Sequence, residues 1–326
     1  MKIAVDAMGG DHAPREIVKG SCEAALALPE VEIILVGDQK EIEKVEGFEK
    51  PANVTIKHTS GVISFNDDPV SRSAQNSIGV CCNLVKTREA DAFISAGNTG
   101  ACMASAVILW KKIAKIERPA IPIPIPTPTG AVVLIDAGAN VDCKPLNLHQ
   151  FAIMGAIYSE RVLGVRNPRI GILSNGTEDK KGNKLSLEAF ALLKESKLNF
   201  IGNVEGSGIF KNTCDVLVCD GFVGNGVLKA VEATSEMILT LAYDHLSKTE
   251  GSSPGQDSIK GFILDLKKRL DYAEYGGAPL LGVNGTCIIS HGSSKAKAIK
   301  NAVFTANKFV NEKINEKIEL DTANLF

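Results

Sequence analysis

The sequence lacks the features that mark several large classes of protein. It has no apolar run long enough to span a bilayer, and its first residues, MKIAVDAMGGD, reach a charged side chain too soon for a signal peptide. One Trp and four Tyr leave little material for a surface that stacks on bases, and a net charge of -2 supplies no basic excess. We therefore expect a cytoplasmic protein that does not bind nucleic acid.

Several catalytic signatures are missing as well. The chain has no G-x-x-x-x-G-K-[ST], which disfavours a P-loop nucleotidase, and no G-x-G-x-x-G after a strand, which weakens a dinucleotide-binding hypothesis. It has neither a strand-borne G-x-S-x-G elbow nor the H-E-x-x-H of zinc proteases. The eight cysteines contain no C-x-x-C pair and the five histidines are scattered, so we expect buried, reduced thiols and neither a metal nor a cofactor.

The chain does contain one unit that repeats: a short apolar strand, a loop rich in Gly and Asn, and a helix. Such units build parallel sheets with helices on both faces. We therefore predict an α/β fold with a doubly wound, mainly parallel sheet in an α/β/α sandwich, as one compact domain over residues 1–326. The predicted strands are 2–5, 31–36, 54–58, 92–95, 132–135, 170–173, 200–202 and 214–219. The predicted helices include 14–28, 71–88, 147–163, 227–246, 256–272 and 294–314.

Five of the predicted strands end in loops of small or amide-bearing residues. Ligands of doubly wound sheets bind outside the carboxyl ends of the strands, and glycines there let backbone N–H groups approach closely. Helix N-termini after such loops favour anions. The sequence therefore predicts an anion site, for phosphate, along this edge. The five loops contain Gly9-Gly10-Asp11, Gly97-Asn98-Thr99, Gly138-Ala139-Asn140, Asn175-Gly176-Thr177 and Gly221 to Asn225.

Residues 214–229 show this unit most clearly. We expect a strand that stops at Asp220, a glycine-rich turn through Gly224 and Gly226, and a helix from about residue 227. Asn225 is then placed to cap the helix or to contact the ligand, and Lys229 to reach back to it. A capped helix with a solvated lysine is the alternative for this stretch taken alone.

Four further segments have patterns of their own. Alternating prolines in 121–130 predict an edge segment or a crossover, because proline cannot donate within a central ladder. Residues 256–272 form a basic amphipathic helix that packs on the core, on a dimer partner or on an anionic membrane surface. Together with the helix before it, this helix makes a protruding hairpin over about residues 230–272. Residues 275–285 suit a loop that lines an apolar slot, and residues 315–326 suit a mobile or docking tail.

A set of long sequence blocks then suggests a family. The blocks DAMGGDHAPREIVKG, SAGNTGA, ERPAI, DAGANVDCKP, SNGTEDKKGN, IGNVEG, CDGFVGN, YGGAPLLGVNG and HGSS occur in this order. Together they resemble the acyl-acyl carrier protein:phosphate acyltransferase family, known as PlsX, of bacterial phospholipid synthesis. The chain departs from that pattern at Ser207-Gly208, at Gly226 and in its proline-laden run.

The resemblance implies a fold related to phosphotransacetylases and to isocitrate and isopropylmalate dehydrogenases. It implies that inorganic phosphate attacks the thioester of an acyl-acyl carrier protein, giving acyl phosphate and free acyl carrier protein. It also implies a homodimer at the inner face of the membrane, as a peripheral protein, with a glycerol-3-phosphate acyltransferase downstream. If the resemblance holds, we expect residues 256–272 to make the contact with the membrane.

The resemblance and the loops together give the candidate site residues. The asparagines and neighbouring glycines would form a polar floor, a lysine or arginine would supply positive charge, His291 would donate to the oxyanion or take a proton, and Asp220 would orient a partner. The candidate catalytic residues are Asn98, Asn140, Asn225, Lys184, Lys229 and His291. The candidate substrate-binding residues are Gly97, Thr99, Gly100, Arg118, Gly138, Asn175, Gly176, Thr177, Asp220 and Gly224.

Other functions remain open at the level of the sequence. A short-chain phosphotransacetylase would place phosphate and a thioester in a similar cleft, but it would gain nothing from the basic amphipathic helix. A non-catalytic scaffold would bind the carrier protein without depending on phosphate. A metal-dependent dehydrogenase would need a carboxylate cluster, and Asp136, Asp142 and Asp220 are sparsely placed for one.

Overall fold

The computed structural model describes residues 1–61, 76–248 and 254–323 of the chain. Within these residues the strands are β1 (Lys2–Asp6), β2 (Glu32–Gly37), β3 (Val54–His58), β4 (Ala92–Ser95), β5 (Pro122–Thr127), β6 (Gly130–Ile135), β7 (Ile170–Leu173), β8 (Phe200–Val204), β9 (Val216–Val218), β10 (Ala278–Pro279) and β11 (Thr286–Ile289). The helices are α1 (Arg15–Ala27), α2 (Gln39–Glu43), α3 (Ser77–Lys86), α4 (Thr99–Trp110), α5 (Pro145–Leu163), α6 (Lys184–Glu195), α7 (Gly221–Lys248), α8 (Pro254–Leu270), α9 (Ala296–Asn311) and α10 (Ile314–Ala323). The predicted α/β class is confirmed. Its mainly parallel strands are divided between two sheets rather than gathered in one.

The first sheet has the strand order β10-β11-β4-β1-β2-β3, and every pair except β10–β11 is parallel. Ile3 and Val5 pack with residues of α1 and α9 on one face, whereas Ala4 and Phe93 pack with α3 and α4 on the other. From β1 the chain continues to β2 and β3 on one side and then returns to β4 on the other side. The carboxyl ends of β1 and β4 therefore border a crevice of the kind that binds ligands in doubly wound sheets.

The second sheet has the order β5-β6-β9-β7-β8, with β5 antiparallel to β6 and the other pairs parallel. Three prolines, at 122, 124 and 126, occupy alternate positions of β5. An edge strand needs ladder hydrogen bonds on one side only, so every second residue can lack an N–H group. The edge segment predicted from the prolines is confirmed.

Helices cover both faces of the second sheet. Val133 and Ile135 pack with α5 and α6, and Leu134 and Leu217 pack with the partly buried side chains of α7. A third apolar cluster lies between the sheets and contains residues from both, among them Phe93, Ile121 and Ala137. Backbone hydrogen bonds between Ala120 and Leu281, at 3.1 and 2.9 Å, connect the two sheets in the same place.

Residues 275–285 take part in this connection. Leu280, Leu281 and Val283 are fully buried, so they fill the space between the sheets instead of lining an open slot. The segment is thus the buried turn that glycine and apolar residues also favour.

The predicted start of α7 at about residue 227 is wrong, because the helix begins at Gly221. Asp220 caps it: its Oδ1 accepts from the Val223 N–H at 2.8 Å, and its carbonyl oxygen accepts from the Gly224 N–H at 2.9 Å. Gly224, Asn225 and Gly226 are therefore helical rather than part of a glycine-rich turn. α7 and α8 pack against each other, whereas the hairpin as a separate insertion stays a prediction.

Of the two alternatives predicted for residues 315–326, a mobile tail is wrong over the described part, and a segment that docks on the core agrees with the structure. α10 occupies 314–323 and buries Ile314 and Ile318 completely against the core that contains α5. The last long helix ends at Asn311, and Lys313, at φ 52°, turns the chain into α10. Residues 71–75 of a predicted helix and residues 324–326 of the tail lie outside the described residues.

Candidate functional site

The carboxyl ends of three adjacent strands in the first sheet bring three loops together. We call residues 7–11, 96–99 and 291–294 the first loop cluster; they follow β1, β4 and β11. The Asp11 N–H donates to the Gly292 carbonyl at 2.8 Å, which joins the first loop to the third. A Cβ added to Gly9 would lie 2.8 Å from the Gly97 nitrogen, so the first and second loops touch through their backbones.

Asp6 is the anchor of this cluster. Its side chain is 1% exposed, and it accepts hydrogen bonds from Ser95 Oγ at 2.6 Å and from the Met8 N–H at 3.1 Å. Burial raises the pKa of this carboxyl, while hydrogen bonds from Ser77 and Ser95 act in the opposite direction. The Ser95 hydroxyl also accepts from the Gly97 N–H at 3.0 Å, so the same pair positions the β4 loop.

The first turn of α4 is the part of this cluster best suited to an anion. Asn98 is buried and caps α4 by accepting from the Ala101 N–H at 2.9 Å. Thr99 and Gly100 occupy the first helical positions, where N–H groups lack acceptors within the helix, and Thr99 is exposed. His291, which directly precedes Gly292, is exposed. Its Nδ1 lies 2.7 Å from Ser293 Oγ.

A second loop cluster lies at the carboxyl ends of β6 and β9 in the other sheet. We define it as residues 136–140 and 219–225. Its anchor is Asp136, which is 0% exposed. Oδ1 accepts from the N–H groups of Ile121, Gly138 and Ala139 at 3.1, 3.3 and 3.0 Å, and Oδ2 accepts from the N–H and the Nδ2 of Asn140, each at 2.8 Å. Burial raises the pKa of Asp136 above its usual value, and the hydrogen bonds from Ile121, Ala139 and Asn140 only partly oppose this rise.

The two parts of the second loop cluster are in backbone contact. The Gly221 N–H donates to the Asn140 carbonyl at 2.7 Å, and a Cβ at Gly221 would lie 2.7 Å from that oxygen. A Cβ at Gly224 would collide with the Asp136 carbonyl, so α7 can start here only with glycine at both positions. Gly138, at φ 135°, faces Asn225: a Cβ on Gly138 would be 3.7 Å from the Asn225 Oδ1. Exposed Gly138 and exposed Asn225 are thereby brought together.

Other candidates of this region have structural contacts. Asn140 is buried, and its Nδ2 also donates to the Pro119 carbonyl at 2.6 Å, which links the second loop cluster to the exposed Arg118 beside it. Asp220 is the α7 cap described above. Burial, with the charges of Asp136 and Asp220, raises the pKa of Cys143 to about 11, and burial raises that of Cys219 well above its usual value. Both cysteines are thiols at neutral pH, as the packing interpretation expects.

The remaining candidates lie on the loop after β7 and on outer helix faces. Asn175 and Thr177 are exposed, and Gly176 is buried against Lys181 and Glu178 of the same loop. The Lys184 side chain is 91% exposed and lies 4.0 Å from Glu188. Lys229 Nζ forms an ion pair of 2.8 Å with Glu232. The structure therefore places part of the candidates in the two loop clusters and leaves Asn175, Gly176, Thr177, Lys184 and Lys229 outside them.

Sequence reasoning missed Asp6 and Asp136 as the residues that organise the two clusters. Both follow an apolar strand directly and precede an alanine, in VDAMGG and IDAGAN. A carboxylate at the buried end of a strand needs several donors, and the N–H groups of the next loop are the nearest ones. That repeated Asp-Ala pattern was the available signal.

Comparison with known proteins identifies the family. A family model described as "Fatty acid synthesis protein" matches residues 1–317. A protein of Desulforamulus reducens named phosphate acyltransferase is 47% identical, over 98% of this chain and 98% of its own length. One of Halothermothrix orenii with the same name is 48% identical, over 96% of each chain. The chain belongs to this family. The resemblance predicted from the sequence blocks is thus confirmed.

Solved structures of phosphotransacetylases share the fold of this chain. A phosphotransacetylase from Streptococcus pyogenes aligns with a TM-score of 0.61 at 16% identity, covering 96% of this chain and 94% of that one. The EutD phosphotransacetylase from Staphylococcus aureus aligns with a TM-score of 0.59 at 14% identity, covering 95% and 94%. These likenesses concern the fold alone, and they confirm the predicted phosphotransacetylase-like architecture.

Two further properties bear on function. In residues 1–61, 76–248 and 254–323, every helix is too short or too polar to traverse a bilayer. Over the same ranges, no three His, Cys, Asp or Glu side chains are grouped as a metal site would require.

Proposed function

We propose that this chain is a phosphate acyltransferase that transfers the acyl group of an acyl-acyl carrier protein to inorganic phosphate. The observation that carries the proposal is the identity of 47% to a phosphate acyltransferase over nearly the whole of both chains. The acyl carrier and phosphate as substrates follow from that name and from the family description. The carrier protein as the acyl donor is the finer part of the proposal, and it rests on the sequence blocks.

The reaction needs little covalent help from the protein. A phosphate oxygen attacks the thioester carbonyl carbon, the C–O bond forms, and the negative charge moves to the carbonyl oxygen. The C–S bond then breaks, and the thiolate of the carrier leaves and takes up a proton. Phosphate is already an anionic nucleophile at neutral pH, so the tasks left are orientation of the two reactants and stabilisation of the oxyanion.

The described loops offer groups for both tasks. The N–H groups of Thr99 and Gly100 in the first turn of α4 are suited to phosphate oxygens, because helix N-termini carry partial positive charge. In the first turn of α7, the N–H groups of Gly221, Val223 and Gly224 already donate to Asn140 and Asp220. Asn225, exposed beside Gly138, is the side-chain amide best placed to donate to the oxyanion. Asn98 and Asn140 act on the site by holding the loops, since the Asn98 Oδ1 accepts from the Ala101 N–H and the Asn140 Nδ2 donates to Asp136. His291 is the candidate for transferring the proton that the leaving thiolate takes up.

The proposal includes the setting in which the enzyme works. The protein is a homodimer, it touches the inner face of the membrane through α8, and its acyl phosphate passes to a glycerol-3-phosphate acyltransferase. Basic and apolar side chains exposed on α8, such as Lys268 and Phe262, support contact with an anionic membrane surface.

The test is an incubation of the purified protein with a long-chain acyl-acyl carrier protein, with and without inorganic phosphate. Free thiol and acyl phosphate are measured together. We expect both to appear in equal amounts and only with phosphate. Asn225→Ala should lower kcat by roughly a hundredfold if its amide donates to the oxyanion. Asn83→Ala, which removes an exposed asparagine on the outer part of α3, is the matched control.

Other outcomes would identify the alternatives. Thiol release without phosphate would indicate a hydrolase. Activity with short acyl-coenzyme A but not with the carrier protein would indicate a phosphotransacetylase. Binding of the carrier protein without any release of thiol would support the non-catalytic scaffold and contradict the proposed enzymatic activity.

A further inference from the structure

Two large apolar side chains stand exposed at the second loop cluster. Val141 is 62% exposed and Phe222 is 71% exposed. Each directly follows one of the two residues joined by the short Gly221 N–H to Asn140 carbonyl hydrogen bond, at 2.7 Å. The backbones that carry the two side chains therefore lie next to each other, although residues 141 and 222 are far apart in the sequence.

The base under these side chains is rigid. Asn140, Gly221 and Gly224 are buried, and both glycines pack against backbone atoms at distances that leave no room for a Cβ. A single exposed apolar residue is common on any protein surface. Here two of them stand on adjacent, fixed backbones at the carboxyl ends of parallel strands, and they give an apolar surface to the edge at which doubly wound sheets bind ligands.

The surface continues along the first turns of α7. Gly226 lies one turn after Phe222 on the same face, since residues four apart on a helix are neighbours. A Cβ at Gly226 would meet no atom of the described residues within 4 Å, so among those residues nothing covers this face of the helix. The space beside Phe222 is therefore accessible to an elongated apolar group.

The chemistry of the proposed substrate requires such a surface close to the reacting carbon. The hydrocarbon chain of an acyl thioester starts at the carbonyl carbon itself, so its first methylenes lie within a few bonds of the oxyanion donor. Asn225, the proposed donor, occupies the same turn of α7 as Phe222. A longer acyl chain continues past these methylenes along the face of α7 towards Gly226, so it removes more apolar surface from water here than a short chain does.

We propose that Val141 and Phe222 contact the acyl chain of the donor and set the preference for long chains. The proposal rests on the proposed function, because it assigns a role within that reaction. Val141 and Phe222 are specificity residues: they bind the chain next to the thioester and take no part in proton transfer.

The experiment compares kcat/KM for palmitoyl and butyryl donors on the same carrier protein in the full-length enzyme. Val141→Ala and Phe222→Ala should each lower the value for palmitoyl roughly tenfold and the value for butyryl by clearly less, so that the palmitoyl to butyryl ratio falls. Phe222→Leu should restore most of the palmitoyl activity. Leu26→Ala removes a side chain that is 74% exposed at the end of α1, and it should leave both values at the wild-type level.

Each other outcome overturns the proposal in a distinguishable way. If both alanine variants keep the wild-type ratio of kcat/KM for palmitoyl and butyryl donors, and the wild type is active, Val141 and Phe222 do not contact the acyl chain. The proposed function would then stand without this inference. An unchanged ratio with loss of the dimer, measured by light scattering, would assign this surface to a second copy of the chain. Absence of phosphate-dependent turnover with every donor in the wild type would remove the proposed function and this inference together.

Discussion

Asp6 is the last residue of β1 and Asp136 is the first residue after β6, and these two aspartates hold the following loops through different donors. Asp6 is bound by the hydroxyls of Ser77 and Ser95 as well as by backbone N–H groups. Asp136 is bound by four backbone N–H groups and one side-chain amide. A hydroxyl can rotate to another acceptor, whereas a backbone N–H in a fixed loop cannot.

The difference suggests that the two clusters have different rigidity. The loop of Asp6 is held in part by side chains on α3 and β4, so it depends on elements that belong to the rest of the first sheet. The loop of Asp136 is held mainly by its own backbone and by Ile121, and it is wedged against the start of α7 through Gly221 and Gly224. We expect the second loop cluster to tolerate change less than the first.

The largest effect should come from removing the two carboxylates. Asp136→Ala should lower the free energy of unfolding by about 3–5 kcal/mol, because it leaves buried N–H groups without an acceptor. Asp6→Ala should cost about 1–3 kcal/mol, since two of its donors can re-orient. Urea denaturation of both variants measures the difference. Equal losses would mean that the type of donor is unimportant.

If Asp136→Ala does not fold, Asp136→Asn can replace it in the same comparison. Asparagine keeps the volume and one acceptor oxygen, so Asp136→Asn should lower the free energy of unfolding by roughly half as much as Asp136→Ala does. Asp6→Asn is its matched partner in the first loop cluster.

The next largest effect concerns the close backbone contacts. Gly224→Ala places a Cβ against the Asp136 carbonyl and 3.0 Å from Cys219 Sγ, and it should cost about 2–3 kcal/mol. Gly9→Ala meets the Asp6 carboxylate and the Gly97 backbone, but it lies in a loop that can shift, so about 1–2 kcal/mol is expected. Thermal unfolding of the two variants ranks them. A reversed order would show that the first loop cluster is the more rigid one.

A smaller effect should depend on pH. Ser95→Ala removes a donor to the Asp6 carboxylate and should cost about 1–2 kcal/mol at neutral pH. Burial already raises the pKa of Asp6 above its ordinary 3.8, and loss of the hydroxyl raises it further. A raised folded pKa means that the folded state holds its proton more tightly, so stability falls as pH rises from 3.8 through the folded value. This fall should be deeper and should extend to higher pH in the variant.

The control for that measurement is Ser159→Ala. Within the described residues the buried Ser159 hydroxyl has no hydrogen-bond partner, so its loss should leave the pH dependence unchanged. A flat difference between Ser95→Ala and the wild type across acidic pH would argue that Asp6 does not titrate in this range.

The smallest effect tests where the rigid part of the second loop cluster ends. Gly226→Ala should stabilise the protein by about 0.5–1 kcal/mol, because an exposed helical glycine has open space and loses entropy on folding. Gly261→Ala on α8 has the same open surroundings and should behave alike. Destabilisation at Gly226 alone would indicate that another chain packs on that face.

Much of the fold was determined by the sequence alone. The strands at 54–58, 92–95 and 170–173 coincide with β3, β4 and β7, because short apolar runs bounded by turn residues are local signals. The loops at the carboxyl ends were found for the same reason, since Gly and Asn in a turn reflect local backbone geometry. The alternating prolines of β5 likewise exclude a central strand without any knowledge of its neighbours.

Tertiary structure decided the rest, because it depends on partners far apart in the chain. The division of the strands between two sheets follows from which strands pair, and periodicity does not specify the partner. α7 starts at Gly221 because Asp136 and Asn140 supply backbone atoms that only glycine can approach. The backbones at Val141 and Phe222 lie next to each other because the Gly221 N–H donates to the Asn140 carbonyl. The sequence determined which residues stand at the strand ends, and the folded backbone decided which of them meet.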